Sequence, residues 1–117
     1  NADLEFPSGA TGAVRTSMAA EDVEFSLKVV GSRGEAFAPF FVLPQNDDRV
    51  IVTTKEDTWV EHLGTRTSYT YQLEAFASAV RNGAPLLTDA DDALATMELI
   101  DACYVAAGME PRPVSTI

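Results

Sequence analysis

The sequence predicts an α+β fold: an open-faced, mostly antiparallel sheet of about five to six strands, with two C-terminal helices packed on one face. Three observations lead to this prediction. Alternating or β-branched runs occupy most of residues 3–63, two stretches with helical spacing follow Gly64, and turn residues separate the runs. Strands that come first and helices that come later are typical of the α+β class, in which the sheet is mainly antiparallel.

The first two strands lie on either side of a tight turn. In "DLEF" (3–6), Leu4 and Phe6 share one face, and "PSG" (7–9) supplies turn residues, because proline presets φ and glycine accepts positive φ. A second extended run, "ATGAVRTSMA" (10–19), follows. Gly12 within this run indicates a bulge or a close approach of backbone.

The clearest strand is "VEFSLKV" (23–29), in which apolar and polar residues alternate. This pattern predicts one buried face, which contains Phe25 and Leu27, and one wetter face, which contains Lys28. The glycines of "GSRGE" (31–35) then make a turn, and "EAFA" (35–38) returns, so we expect a hairpin.

The next stretch, "PFFVLPQNDD" (39–48), is irregular because Pro39 and Pro44 cannot donate to an interior ladder. "RVIVTTK" (49–55) is rich in β-branched residues and predicts a strand. "KEDT" makes a turn, and "WVEHL" (59–63) is the last predicted strand.

Helical spacing begins at Tyr69. The first predicted helix presents a single apolar stripe of Tyr69, Leu73, Phe76, Ala77 and Val80. It ends at Asn82 and Gly83, and Pro85 prevents its continuation. The second is predicted to start at Thr88 as N-cap and to run to about Ala107, with Gly108 ending it. Its apolar side contains Ala93, Leu94, Met97, Leu99, Ile100, Cys103 and Tyr104.

Three carboxylates, Asp89, Asp91 and Asp92, crowd the start of this second helix. A metal loop, an acid/base pair and a simple helix start are the alternatives. An EF-hand beginning at Asp89 would need an oxygen ligand and a glycine where Ala93 and Leu94 stand, so that loop fails. Side chains in one exposed turn also share similar surroundings, which disfavours an acid/base pair. We therefore interpret the cluster as a helix start stabilised by the macrodipole.

Composition limits the classes of function. The 117 residues fit one domain, and 46% hydrophobic with 22% charged residues is typical of globular proteins. A net charge of −10 disfavours nucleic acid and anionic membrane surfaces as partners. We expect no membrane span, a cytoplasmic location and a single domain over residues 3–117, with residues 1–2 a candidate cloning scar.

Motifs for chemistry are missing from the sequence. One cysteine, Cys103, and one histidine, His62, cannot form a zinc site of the Cys/His type, and no other metal site is predicted. There is no G-x-G-x-x-G, Walker, H-E-x-x-H or G-x-S-x-G motif. The two lysines, Lys28 and Lys55, are interpreted as solvated. Residue chemistry alone therefore specifies no catalytic or cofactor-binding residue.

The order of elements nevertheless resembles the C-terminal domain of the Gfo/Idh/MocA oxidoreductases, the relatives of glucose–fructose oxidoreductase and inositol dehydrogenase. Three segments carry the resemblance: "LEFPSGATGAVRTSMA", "LKVVGSRGEAF" and "YTYQLEAFASAVRNGAPLLTDADDALATMELIDACYVAAG". Together they span roughly residues 3–114. The matching positions in the two closing helices are Tyr71, Leu73, Phe76, Val80, Gly83, Pro85, Thr88, Asp91, Ala93, Ile100, Ala102, Tyr104 and Ala107.

The resemblance implies a fragment of a two-domain NAD(P)-dependent oxidoreductase that acts on a sugar, polyol or related hydroxyl compound. The N-terminal Rossmann domain, which would bind NAD or NADP, is missing from this chain, as are the family's E-K-P and D-x-x-x-H motifs. No catalytic or cofactor-binding residue is therefore carried over, and this fragment is not expected to be active alone. The open sheet face, with Thr11, Arg15 and Lys28, can be solvated or can meet another subunit, and of these two alternatives we expect a homo-oligomer interface.

Substrate-facing candidates are the residues that enter the first helix: Arg66, Tyr69 and Tyr71, with His62 behind them. Arginine can anchor an anionic group, and tyrosine hydroxyls can bind sugar hydroxyls. The alternatives are that Tyr69 belongs to the apolar stripe and that Arg66 is solvated. Two other functions stay open for the chain: a stand-alone binding or assembly module, and a small enzyme with a carboxylate site.

Overall fold

The computed structural model describes residues 1–113, so the last four residues of the predicted domain 3–117 lie outside the described residues. The chain order is six strands followed by two helices, which confirms the α+β class. The elements are β1 (Ala2–Glu5), β2 (Thr11–Val14), β3 (Leu27–Gly31), β4 (Gly34–Ala38), β5 (Arg49–Thr54), β6 (Thr58–His62), α1 (Ser68–Asn82) and α2 (Ala90–Ala106).

The chain divides into two compact units. One comprises Asn1–Ala19 together with the residues from Pro85 onward, and it contains β1, β2 and α2. The other, Ala20–Ala84, contains β3 to β6 and α1. The six strands are all paired antiparallel, as predicted, and they are divided between a two-stranded and a four-stranded sheet.

In the first unit, β1 and β2 form a hairpin whose turn contains Gly9 at a φ of 83°. The guanidinium of Arg15 donates to Asp3 at 2.6 Å and to the Ala2 carbonyl at 3.0 Å. The register runs without interruption through Gly12, which pairs with Leu4, so there is no bulge at that position. A side chain at residue 12 would meet the Phe6 ring at 3.5 Å, which is an ordinary contact.

The four-stranded sheet of the second unit has the simple order β3-β4-β5-β6. Its first strand differs from the prediction, since β3 starts at Leu27 rather than Val23. Phe25 makes only an isolated bridge with Phe40. The partner strand β4 ends at Ala38, directly before Pro39, so residues 23–26 have no continuous ladder to join.

Cross-strand pairing assigns the residues of this sheet to two faces. The first, named the Leu27 face, carries Leu27, Val29, Ala36, Val52 and Trp59. The second, named the Lys28 face, carries Lys28, Val30, Glu35, Phe37, Ile51 and Val60. Lys28 and Glu35 form an ion pair at 2.7 Å on that second face. The predicted alternation of β3 between an apolar and a mixed face is therefore present.

Gly34 is the glycine that the sheet most requires. Its φ is 154°, and a Cβ built on it would lie 2.2 Å from the carbonyl oxygen of Thr53. Contacts under 3.0 Å are essentially never made by real Cβ atoms. The hairpin between β3 and β4 can therefore approach β5 this closely only because residue 34 lacks a side chain.

The two helices begin and end with recognisable caps. In α1, Thr67 accepts from the Thr70 N–H, and Gly83 adopts the left-handed conformation predicted for it. In α2, Asp89 is the N-cap, and its carboxylate accepts from the N–H groups of Asp91 and Asp92 at 3.0 Å each. The cluster is thus a helix start, as predicted, but the prediction of Thr88 as the cap was wrong by one residue.

Apolar side chains remain accessible throughout residues 1–113, where none is buried. The apolar stripe of α1 was expected to lie beneath one face of the sheet, but no residue of this helix is buried and Tyr69 is 64% exposed. On the sheet, Val29 and Val30 are 57% and 71% exposed, although they lie on opposite faces. Both faces of the four-stranded sheet therefore retain apolar surface that can be buried against other protein.

Candidate functional site

The predicted site residues are distributed along one connection of the second unit. His62 is the last residue of β6, Arg66 lies in the segment that leads to α1, and Tyr69 and Tyr71 lie in the first turns of that helix. The local structure of this connection therefore determines what these side chains can do.

Asp48, which precedes β5, organises the end of β6. Its Oδ1 lies 2.8 Å from His62 Nδ1, and its Oδ2 accepts the Gly64 N–H at 2.9 Å. Its backbone carbonyl accepts the Leu63 N–H at 3.1 Å. Three consecutive residues are thus held by one aspartate, which fixes the direction in which the chain leaves the sheet.

These hydrogen bonds affect the acid itself. The bond from His62, and then the Gly64 N–H, lower the pKa of Asp48 below its ordinary value. In neighbouring Asp47, hydrogen bonds from the Arg49 side chain and backbone lower the pKa to about 2. Both carboxylates are therefore ionised at neutral pH, and each faces its own hydrogen-bond donor.

Arg66 forms a second cluster at the start of α1. Its guanidinium bonds to the carboxylate of Glu74, and its carbon lies 4.8 Å from the centre of the Tyr71 ring. The bond to Glu74 raises the pKa of Arg66, so the group is a fixed cation. Arg66 is half exposed and already paired, so an anionic ligand would have to share it with Glu74.

The start of α1 is anchored to the irregular segment that follows β4. Ser68 donates from its hydroxyl to the Val42 carbonyl at 2.7 Å, and Thr67 caps the helix. This anchoring sets the position from which Tyr69 and Tyr71 project. Both tyrosines are exposed, so in this structure Tyr69 is not part of a buried core.

The structure brings the candidates together only in part. Arg66 and Tyr71 are in contact, and His62 is paired with Asp48. Within residues 1–113, no hydrogen bond or ion pair joins the His62 pair to the Arg66 cluster, and Tyr69 forms no side-chain hydrogen bond with either. The connection therefore presents two separate polar groups rather than one constellation.

Sequence reasoning missed Asp48 and Glu74. Asp48 was interpreted only as part of a turn, although the hairpin register that pairs Arg49 with His62 places the preceding residue beside that histidine. The register of β5 and β6 is therefore the signal that points to Asp48. No sequence pattern indicated that Glu74 pairs with Arg66, because Arg66 lies outside the helix and no helical spacing relates the two residues.

No second candidate for a functional site is found among the described residues. A shallow depression at one end of the sheet is lined by Ser32, Arg33, Thr54, Lys55 and Glu56, none of which was a candidate. No group of three or more metal-ligating side chains occurs in the described part of the chain. Neither of the helices in residues 1–113 has the length and apolarity needed to cross a membrane.

Comparison with known proteins assigns the fold to a family. The model of the Gfo/Idh/MocA oxidoreductase family, C-terminal alpha/beta domain, matches residues 2–115, which is nearly the whole chain. The chain belongs to this family. The resemblance carried by the strand–turn–strand segment, the hairpin and the two closing helices is thereby confirmed.

A curated relative gives the family match a biochemical context. The chain is 30% identical over 105 residues to D-xylose 1-dehydrogenase (NADP(+)) 2 of Haloferax volcanii. The alignment covers 89% of this chain but 32% of that enzyme, so the chain spans about a third of the length of this curated relative. No solved structure shows a significant match to the chain.

Proposed function

We propose that this chain is the substrate-side and oligomerisation domain of a longer NAD(P)-dependent oxidoreductase that acts on a sugar, a polyol or a related hydroxyl compound. The observation that carries the proposal is the family match over residues 2–115. The similarity to an enzyme named for D-xylose and NADP⁺ favours an aldose among the candidate substrates. The absence of any second cysteine within this chain agrees with the reducing cytoplasm that we propose as its compartment.

The cofactor does not fit the residues of this chain. A dinucleotide pyrophosphate is normally held by a glycine-rich turn that opens a helix. Here α1 opens with "TRTS", and the first turn of α2 carries Asp91 and Asp92, which would repel a phosphate. We therefore assign NAD or NADP to a Rossmann domain elsewhere in the natural protein, and this chain alone is expected to be inactive.

The connection between β6 and α1 is the part of this domain that we assign to the substrate. Sugars and polyols are recognised through hydroxyl groups, which both donate and accept hydrogen bonds. Arg66, Tyr69, Tyr71 and His62 offer exposed donors and acceptors of this kind along a short stretch of chain. A negative group on the substrate would have to share the guanidinium of Arg66 with Glu74, so this cluster is better suited to neutral hydroxyl compounds.

The substrate class is tested with the natural protein that contains this chain. Reduction of NADP⁺ and of NAD⁺ is followed by absorbance in the presence of D-xylose, other aldoses and cyclic polyols. We expect turnover with at least one compound of these classes. Turnover confined to substrates without hydroxyl groups would contradict the proposal.

The Lys28 face of the four-stranded sheet is our candidate for contact with a second copy. Its ion pair between Lys28 and Glu35 neutralises two charges, and Val30 beside them is highly exposed. Such a surface can be buried in a symmetric contact without leaving an unpaired charge. The match of a family model over the strands of this sheet supports a role that the domain shares with its relatives.

Two adjacent valines provide a matched test of this interface. Val30→Glu changes the Lys28 face, whereas Val29→Glu makes the same substitution on the opposite face of the same strand. We expect the natural protein to be oligomeric by analytical ultracentrifugation and Val30→Glu to dissociate it, because a symmetric contact would bring two added charges together. A monomeric parent, or dissociation by Val29→Glu alone, would refute the assignment.

A further inference from the structure

We propose that Asp48 is a positioning residue that holds His62 as the Nδ1–H tautomer, leaving Nε2 free to accept a hydrogen bond from a hydroxyl of the substrate. This inference rests on the proposed function for the nature of the ligand. The tautomer itself depends only on the geometry of the chain.

The direction of the hydrogen bond between Asp48 and His62 determines the tautomer. Nδ1 of His62 and Oδ1 of Asp48 are 2.8 Å apart, a normal hydrogen-bond distance. An ionised carboxylate can only accept, so Nδ1 must carry the proton. In a neutral imidazole the other nitrogen, Nε2, then has a free lone pair.

The side chain of Asp48 is held in its orientation. Its side chain is 15% exposed, and both of its oxygens are engaged, Oδ1 with His62 and Oδ2 with the Gly64 N–H. Gly64 adopts a φ of 96°, a conformation that suits glycine, and its N–H donates to this carboxylate. The acceptor for Nδ1 is therefore held in place from the backbone side.

The opposite edge of the His62 ring is accessible. The His62 side chain is 65% exposed. Among the described residues, Nε2 has no hydrogen-bond partner, whereas Nδ1 has one. A ligand can therefore approach Nε2 without first displacing a protein group.

The tautomer is measured directly because His62 is the only histidine of the chain. Long-range ¹H–¹⁵N NMR of the ¹⁵N-labelled chain is recorded at alkaline pH, so that the neutral imidazole is observed. We expect Nδ1 to give the signal of a protonated nitrogen and Nε2 that of an unprotonated one. Free imidazole side chains in water favour the reverse arrangement, so the two outcomes are easily distinguished.

Substitution then identifies the cause. Asp48→Ala is expected to shift His62 to the Nε2–H form, since the acceptor for Nδ1 is gone. Asp47→Ala is the matched control, because this neighbouring acid bonds to Arg49 instead and its loss should leave the tautomer unchanged. An Nε2–H form in the unsubstituted chain, or an unchanged tautomer in Asp48→Ala, would overturn the proposal.

The proposed contact between Nε2 and the substrate is tested in the natural protein by measuring the KM for the hydroxyl substrate and the KM for NAD(P)⁺ separately. Asp48→Ala is expected to raise the KM for the hydroxyl substrate about 2- to 10-fold, the range of one ordinary hydrogen bond, with the KM for NAD(P)⁺ unchanged. An unchanged KM for the hydroxyl substrate would overturn the role of Nε2. A parent that oxidises no hydroxyl compound would instead refute the proposed function, and the NMR result would still decide the tautomer.

Discussion

The substitution Gly34→Ala provides the sharpest test of the four-stranded sheet. The new methyl group would lie 2.2 Å from the Thr53 carbonyl oxygen and 3.0 Å from the Thr54 Cα. Because those are backbone atoms of β5, no side-chain rotation can relieve the contact. The hairpin end of β4 would have to move by about 1 Å to restore ordinary van der Waals separation.

Two contributions determine how much Gly34→Ala lowers the free energy of unfolding. Holding a residue with a side chain at a φ of 154° costs about 1–3 kcal/mol. A shift of that size also lengthens ladder hydrogen bonds where β4 pairs with the end of β5, and each lost bond costs about 1 kcal/mol. We therefore expect a loss of about 2–5 kcal/mol in the free energy of unfolding.

Gly31, which pairs with Gly34 in the same hairpin, provides the control. The nearest atom to a Cβ at residue 31 is 3.9 Å away, so Gly31→Ala should change stability by about 1 kcal/mol or less. Urea unfolding is followed by the fluorescence of Trp59, the single tryptophan, which lies in β6 of this sheet. Equal midpoints for the two variants would refute the close approach of β4 and β5.

Three further predictions concern caps, a turn and acid. Asp89→Ala should destabilise α2 by about 1 kcal/mol, as measured by thermal unfolding followed by circular dichroism, whereas Thr88→Ala should have little effect; equal effects would contradict the assigned cap. Gly64→Ala should cost about 1–2 kcal/mol in urea unfolding, because φ is 96° there, and no loss would refute that turn. The pKa values of Asp47 and Asp48 lie below the ordinary 3.8, so their stabilisation is complete above about pH 4 and is lost as the pH falls towards 2. Melting temperatures recorded across that range should fall on acidification. The double variant Asp47→Asn/Asp48→Asn should show a smaller fall, and an equal fall in the two proteins would contradict this stabilisation.

Local patterns predicted most elements because they depend on neighbouring residues alone. The stripe that begins at Tyr69 located α1 to within one residue, and glycines at both ends of the hairpin located the β3–β4 turn. The start of β3 was missed for a non-local reason. Alternation specifies the faces of a strand, but a ladder also needs a partner, and β4 stops before Pro39.

The candidate site was harder to predict than the secondary-structure elements, because its contacts depend on tertiary pairing. His62 and Arg66 were identified from their positions at the entry to α1, whereas Asp48 and Glu74 emerged only once the chain was folded. Asp48 is 14 residues from its partner, and only the register of β5 and β6 brings the two together. The N-cap of α2 was predicted one residue too early, because Thr88 and Asp89 are both good capping residues.

We propose that this domain binds the hydroxyl substrate, whereas another part of the protein binds the cofactor. The most direct measurement is steady-state kinetics of the natural protein with Tyr71→Ala, a change that removes an exposed ring and the support of Arg66. We expect the KM for the sugar or polyol to rise about 10-fold and the KM for NAD(P)⁺ to stay unchanged. A higher KM for NAD(P)⁺ with an unchanged substrate KM would contradict it.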